Sequence, residues 1–296
     1  MMRYIVPVNH STSRSEIVQW AAAGVEEFYY GFMPDTWVKK YGWEVCTNRR
    51  PYPTLPHLTN KKQLREMIQW IHLSKAKAIF AINEHTYPQD LARKIVEMAV
   101  FMQGEGADGL IVSDPSMVML LGAAKVKIPL HASVGLGVQN VEAIEFFRKL
   151  GFNRFVLPRK LRPDEILSLL SATPKEVEFE IFLLGEWCFY NDQICFSSHG
   201  HGKDEFCHRK KCQGQTSLHS MLNEPYDYAW CGLCLASVLR AYHDRILFKI
   251  PVRTDVFKSS KIIGQVLKMR GLETMTQSEL IKMMGCQQRY CAYEFS

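Results

Sequence analysis

The segment from Cys195 to Cys212, CFSSHGHGKDEFCHRKKC, places three cysteines and three histidines within eighteen residues. Cysteines at this density join in disulfides, or as thiolates bind a zinc ion or an iron–sulfur cluster. The chain has nine cysteines, an odd number, and no N-terminal signal-peptide pattern, so we predict a reducing, cytoplasmic compartment and no disulfide framework. The segment therefore predicts a metal site. Its histidines are predicted to be solvated loop residues: His199, His201 and His208.

Structural zinc is one interpretation of these cysteines. Zinc modules usually hold their ligands as two close pairs, whereas the spacing here is looser, with eleven and then four residues between successive cysteines. A zinc ribbon is also possible, because eighteen residues separate Cys212 from the CGLC motif of Cys231 and Cys234. In that ribbon Cys207 and Cys212 would form the other pair of ligands. Otherwise the CGLC thiols are small buried residues at the start of a helix.

Short apolar runs alternate with amphipathic helical patterns along the chain. Each run is almost continuously hydrophobic, which is typical of a parallel strand buried on both faces. The predicted strands are 3–9, 26–32, 76–83, 108–114, 128–134, 153–159, 178–185 and 245–252. The predicted helices are 13–24, 60–73, 88–103, 115–125, 138–151, 162–172, 231–244 and 259–271. This alternation predicts an α/β fold, a TIM-like (β/α)8 barrel.

The barrel is predicted to be one domain over residues 1–296, with a C-terminal helical extension at about 272–296. Cys286 and Cys291, in that extension, have no partner pair and are interpreted as structural. Two connections are long, one after the second predicted strand and a cysteine-bearing one after the seventh. Long loops that follow barrel strands open at the C-terminal mouth, where such folds build their sites.

The two long connections carry four of the cysteines. Cys46 lies in the first connection, and Cys195, Cys207 and Cys212 lie in the second. Because both connections open on the same face of a barrel, they are long enough to bring the four thiols together. Four converging thiolates suit a structural zinc ion or a four-iron–four-sulfur (4Fe–4S) cluster.

Polar side chains at the ends of the predicted strands are further candidates. They are Asn83, Glu84, Asp114, His131, Ser133, Arg159, Glu186 and Arg253. We predict that His131 donates or accepts a proton and that Arg159 and Arg253 bind the carboxylate of an anionic small-molecule substrate. Glu186 completes the predicted catalytic set. Alternatively, the arginines pair with mouth carboxylates, and His131 is a hydrogen-bonded core histidine.

Several segments resemble, in order and spacing, peptidase family U32, the collagenase-like proteases. They are LHASVG at 130–135, FVLPRKL at 155–161, EFEIFLLG at 178–185 and LFKIPVR at 247–253. The segments EVCTNRR and KDEFCHRKKC are similar to cysteine motifs of the UbiV-type subunits, which are linked to oxygen-independent hydroxylation in ubiquinone biosynthesis. The resemblance implies a 4Fe–4S cluster held by Cys46, Cys195, Cys207 and Cys212, and a heterodimer with a related subunit.

The chain also departs from the family pattern. Cys188, seven residues before Cys195, and Cys234 fall where other members have ligands, so a second set comprises these residues with Cys195 and either Cys207 or Cys212. Neither a Ser/His/Asp arrangement nor an HExxH motif supports protease chemistry.

The main expectation is therefore an iron–sulfur protein that supports a UbiV-like, oxygen-independent hydroxylation. One alternative is a peptidase that acts on a small peptide or protein, and another is an RNA-modifying hydroxylation protein. The net charge of +6 and the pI near 8.8 are compatible with RNA or an anionic small molecule as a partner. No apolar stretch is long enough to span a bilayer, so no membrane insertion is expected.

Overall fold

The computed structural model describes residues 2–41, 47, 57–85, 87–158, 161–182, 242 and 244–250. Nine parallel strands make up its sheet. They are β1 (Arg3–Pro7), β2 (Val25–Phe32), β3 (His57–Leu58), β4 (Lys77–Ile82), β5 (Gly109–Val112), β6 (Leu130–Ala132), β7 (Phe152–Val156), β8 (Glu178–Phe182) and β9 (Ile246–Lys249).

The sheet closes on itself. Strand β1 pairs in parallel with both β2 and β9, and the remaining neighbours follow in the order β9, β8, β7, β6, β5, β4, β2. Eight strands thus form a closed barrel, while the two-residue β3 extends the end of β2 through the register Gly31 to His57. The predicted (β/α)8 barrel and each of its eight strands are confirmed.

Helices connect the strands. They are α1 (Arg14–Ala22), α2 (Asp35–Tyr41), α3 (Lys61–Leu73), α4 (Gln89–Gly104), α5 (Pro115–Ala123), α6 (Val141–Lys149) and α7 (Pro163–Ala172). Ser13 caps α1 through a capping box with Glu16, and Gly24, at φ 105°, takes the left-handed conformation after that helix ends. Six of the predicted helices are confirmed, whereas the short α2 was not predicted. The predicted helix 259–271 and the extension 272–296 lie outside the described residues, as does nearly all of 231–244.

The strand side chains divide into two sets by alternation. One set packs against the helices, for example Tyr4, Phe28 and Phe80. The neighbouring residues along the same strands form a separate apolar cluster: Ile5, Tyr29, Ile79, Ala81, Ile111 and Leu247. Because successive strand residues point to opposite faces, the second cluster fills the inside of the barrel.

Arg245 fixes the start of β9 against the connection from α7 to β8. Its guanidinium donates hydrogen bonds to the carbonyls of Leu170, Val177 and Pro174, at 2.6, 3.0 and 2.9 Å, and to the Thr173 hydroxyl at 2.8 Å. A planar fork with several donors suits this set of acceptors, which a lysine could not match. The last described strand is thus held by side-chain hydrogen bonds as well as by its ladder.

Candidate functional site

Charged side chains occupy the inward-facing positions of several strands. Glu27 shares its face of β2 with Tyr29, and Arg154, Glu180 and Lys249 alternate with residues of the outer core on β7, β8 and β9. All four are buried, with between 0% and 5% of their surface exposed. Desolvating charges is costly, so such groups persist only when opposite charges and hydrogen bonds surround them.

Arg154 is the centre of the part of this network that lies toward the N-terminal ends of the strands. Its guanidinium donates two hydrogen bonds to Glu27, at 2.5 and 2.9 Å, and two to Glu178, at 3.0 and 2.7 Å. Glu178 also accepts a 2.7 Å bond from Arg3. Burial alone would lower the pKa of Arg154, but the carboxylates of Glu27, Glu180 and Glu178 together raise it, so its charge is permanent.

Glu180 is the centre of the part of the network that also contains Lys249 and His131. Its Oε2 accepts a 2.6 Å hydrogen bond from Nζ of Lys249, and its Oε1 lies 3.6 Å from Arg154. Burial favours the protonated carboxyl, but the Lys249 charge, the His131 imidazole and the Arg154 charge outweigh it and lower the pKa of Glu180. The Lys249 ammonium also lies 4.2 Å from the centre of the Tyr29 ring, a cation–π contact.

His131 is the one predicted catalytic residue within the described part of the chain. It is 3% exposed, on the inner face of β6, with Nδ1 3.5 Å from Oε1 of Glu180. Burial and the Arg154 charge lower its pKa, despite the opposing effect of Glu180, so the imidazole is neutral. This placement fits the alternative interpretation of a core histidine, and its catalytic role stays a prediction.

The predicted mouth residues of β4, β5 and β6 form polar contacts with neighbouring groups. Asn83 donates a 3.4 Å bond to the Ser133 hydroxyl, which also accepts from the backbone of Gly135. Asp114 caps α5 by accepting bonds from the backbone and hydroxyl of Ser116. The Asp114 side chain thus stabilises the start of α5. Beside these groups Val134, Val156 and Phe182 form a small apolar cluster at the same ends of the strands.

Thr47 is anchored at the mouth. Its hydroxyl donates a 2.9 Å bond to the carbonyl of Phe32, at the end of β2. Its own carbonyl accepts a 2.6 Å bond from the hydroxyl of Tyr87, which lies just before α4. Thr47 is completely buried and follows Cys46 in the chain, so the first long connection is fixed to the mouth at this residue.

The other predicted site residues lie outside the described residues. They are Cys46, Cys195, Cys207 and Cys212, with Arg159, Glu186 and Arg253, and all nine cysteines share this status. Within the described ranges, no three His, Cys, Asp or Glu side chains are grouped to hold a metal ion. In that same part of the chain, no helix is both long and apolar enough to cross a membrane.

The sequence prediction missed the interior network. The signal was present, because EFEIF, NRFV and ILFK each carry charges within otherwise apolar strands, and in EFEIF the two glutamates stand two residues apart. Charges at every second position of a fully buried strand indicate a polar inner face. The sequence analysis instead placed its candidate ion pairs, between arginines and carboxylates, at the ends of the strands.

We expect Arg154→Met to lower the free energy of unfolding by about 3–5 kcal/mol, because it removes both hydrogen bonds that the buried Glu27 carboxylate accepts from Arg154. The double variant Glu27→Leu/Arg154→Met should lose less, since both charges are gone. Urea unfolding measures both. Arg162→Met, which removes an exposed ion pair with Asp164, is the control and should unfold almost as the unchanged protein does. Equal losses in the single and double variants would contradict this account.

Acid should destabilise the barrel in two stages. Below the ordinary histidine pKa of 6.5, His131 binds a proton in the unfolded chain but not in the folded chain. The free energy of unfolding therefore decreases as the pH is lowered. Below pH 4.5 the free energy of unfolding decreases again, because Glu180 binds a proton in the unfolded chain while its carboxylate stays ionised in the folded chain. Denaturation at a series of pH values measures this. His131→Asn should reduce the first decline, whereas His72→Asn, on the exposed surface of α3, should retain it.

Comparisons with known proteins identify relatives that modify RNA. The tRNA hydroxylation protein P of Escherichia coli (strain K12) is 33% identical over 113 residues, 38% of this chain and 23% of that protein. The 23S rRNA 5-hydroxycytidine synthase of the same strain is 29% identical over 143 residues, 47% of this chain and 20% of that protein. The tRNA hydroxylation protein P2 of Bacillus subtilis (strain 168) is 24% identical over 182 residues, 62% of this chain and 53% of that protein. The matches thus span at most about half of these relatives.

Solved structures share the fold. The U32 peptidase Mk0906 superposes with a TM-score of 0.53 at 11% identity, covering 85% of this chain and 93% of that one. A tryptophan synthase from M. tuberculosis superposes with a TM-score of 0.50 at 9% identity, covering 93% and 94% of the two chains. Identities this low support the barrel architecture alone.

The profile of peptidase family U32 matches residues 22–222, more than half of the chain. This stretch runs from the last residue of α1 to beyond β8 and contains the segments that resemble the family, apart from LFKIPVR around β9. The chain belongs to peptidase family U32.

Proposed function

We propose that this chain supports the hydroxylation of RNA, at the C-terminal mouth of its barrel, with the help of an iron–sulfur cluster. One observation carries the proposal: the chain belongs to family U32, and relatives that it matches are named for the hydroxylation of tRNA or of 23S rRNA. The net charge of +6 adds support, because an excess of basic residues favours association with a polyanion.

The relatives favour RNA over a ubiquinone precursor as the substrate. Both expectations have hydroxylation in common and differ in the molecule that receives the oxygen. Matches to tRNA hydroxylation proteins of Escherichia coli and Bacillus subtilis support the RNA-modifying alternative rather than the UbiV-like one. The related partner subunit stays a prediction.

The donor set fits the cluster by its chemistry. Cys46, Cys195, Cys207 and Cys212 would supply four thiolates, the usual ligands of a 4Fe–4S cluster. Thr47 supports the first of these assignments, because a peptide bond joins it to Cys46 and its hydrogen bonds to Phe32 and Tyr87 fix it to the mouth. Bound there, the cluster would supply redox or Lewis-acid chemistry beside the substrate.

The described mouth residues would contribute to binding the RNA. Asn83 and Ser133 place an amide and a hydroxyl, 3.4 Å apart, at the ends of β4 and β6, and groups of this kind form hydrogen bonds with base edges. Phe182 and Val156 belong to a buried apolar cluster at the ends of β8 and β7. Polar groups beside an apolar wall suit an unstacked base, which single-stranded RNA can present.

Anaerobically purified protein should be brown and contain about four irons per chain. Cys46→Ala should abolish the absorbance and the iron, because it removes one of four thiolate ligands. Cys188→Ala is the matched control and should retain both. A colourless protein with one bound zinc ion would contradict the cluster, and the reverse pattern in the two variants would favour the second ligand set.

RNA from cells that lack the chain should lose a pyrimidine nucleoside heavier by one oxygen atom, measured by mass spectrometry of digested tRNA and rRNA. The unchanged chain should restore it, as should His72→Asn on the outer surface, whereas Cys46→Ala should not. Unaltered RNA together with an accumulating ubiquinone precursor would contradict the proposed substrate.

A further inference from the structure

The charges inside the barrel balance without His131. The buried and half-buried part of the network has three cations and three carboxylates: Arg3, Arg154, Lys249, Glu27, Glu178 and Glu180. At its exposed edge Glu26 pairs with Arg3 and Lys77 lies near Glu27, which adds one charge of each sign. A protonated His131 would add one uncompensated positive charge in a region that excludes water. The balance therefore favours a neutral imidazole, whose single N–H can be on either ring nitrogen.

Two buried atoms identify the nitrogen that has the proton. Nδ1 of His131 and Oε1 of Glu180 are both fully buried, form no hydrogen bond within the described structure, and lie 3.5 Å from each other. A proton on Nδ1 satisfies both atoms after a slight rotation of the ring, whereas a bare Nδ1 would place a lone pair against a carboxylate. Lys249 holds the other carboxylate oxygen at 2.6 Å and so prevents Glu180 from turning away.

We propose that Glu180, anchored by Lys249, is a positioning residue that holds His131 as the Nδ1–H tautomer and leaves Nε2, which faces Gly109, as the proton-accepting nitrogen. The tautomer follows from the interior network alone. Its use in catalysis rests on the proposed function, because Ser133, two residues along β6, is among the groups assigned there to the substrate.

The opposite edge of the ring packs against β5. A Cβ on Gly109 would lie 3.0 Å from both Cε1 and Nε2 of His131, so glycine is what leaves room for the imidazole. The charged groups that face the ring come from the other elements around it: Glu180 on β8, Arg154 on β7 and Glu27 on β2, with Lys249 on β9 acting through Glu180. Strand β5 presents Gly109 and Ile111 and adds no charge.

The tautomer leaves Nε2 as the basic atom of the ring, facing Gly109 inside the barrel. When Nε2 accepts a proton, the donor keeps the electron pair of the broken bond, and the new positive charge develops 3.5 Å from the Glu180 carboxylate. A base oriented through its other nitrogen by a buried carboxylate is a recurring catalytic arrangement. Lys249 limits how strongly Glu180 attracts that proton, which keeps the imidazole neutral until it is used.

Nuclear magnetic resonance of the full chain labelled with 15N-histidine tests the tautomer, with the His131 signal assigned from His131→Asn. We expect Nδ1 to be protonated and Nε2 bare at neutral pH. Lys249→Met should shift the protonation of His131 to higher pH, because Glu180 then attracts the proton without competition. Lys249→Arg should restore the original titration. Lys77→Met, at an exposed lysine 4.0 Å from Glu27, is the matched control and should leave it unchanged.

A proton on Nε2, or a charged His131 at neutral pH in the unchanged protein, overturns the inference and needs no variant. An unshifted titration in Lys249→Met also overturns it. Failure of the proposed function looks different: the tautomer is as expected, but RNA from cells lacking the chain is unaltered. An active protein with the proton on Nε2 contradicts the positioning role alone.

Discussion

The Glu180 carboxylate is completely buried, and the inner faces of four strands are arranged around its charge. Lys249 on β9 binds one oxygen, while Arg154 on β7 and His131 on β6 lie within 3.6 Å of the other. Arg154 extends the network to Glu27 and Glu178, toward the N-terminal ends of β2 and β8. An interior of this kind is costly to desolvate and contributes little net stability by itself. It does make strand register matter, because a slip of one residue would direct a charge into the outer apolar core.

The strands and long helices could be predicted because hydrophobic periodicity is strong in elements that are buried on one or both faces. The two elements that were missed, α2 and β3, are seven and two residues long and lie in a connection of irregular composition. Elements this short depend on tertiary contacts, such as the pairing of His57 with Gly31, that no local pattern encodes.

The site was harder to predict than the fold. Placing Asn83, Asp114 and Ser133 at the mouth required only the parallel direction of the strands, and they are there. The ion pairs were predicted at the strand ends, but in the described residues they lie deeper, since the pairing of Glu27 with Arg154 joins residues 127 apart in the chain. Which distant strands face each other is set by barrel closure and shear, which the local sequence does not show.

Barrel closure also has a consequence in time. Strand β9 joins the edges of β1 and β8, yet residues 183–245 separate it from β8 in the chain. At about 5–20 residues per second, a ribosome needs roughly 3–13 s to synthesise this stretch. Until β9 emerges, β1 and β8 each present an unpaired edge that can bind other strands. A nascent chain of this protein thus passes through an aggregation-prone stage, and a chain truncated before Ile246 would remain aggregation-prone.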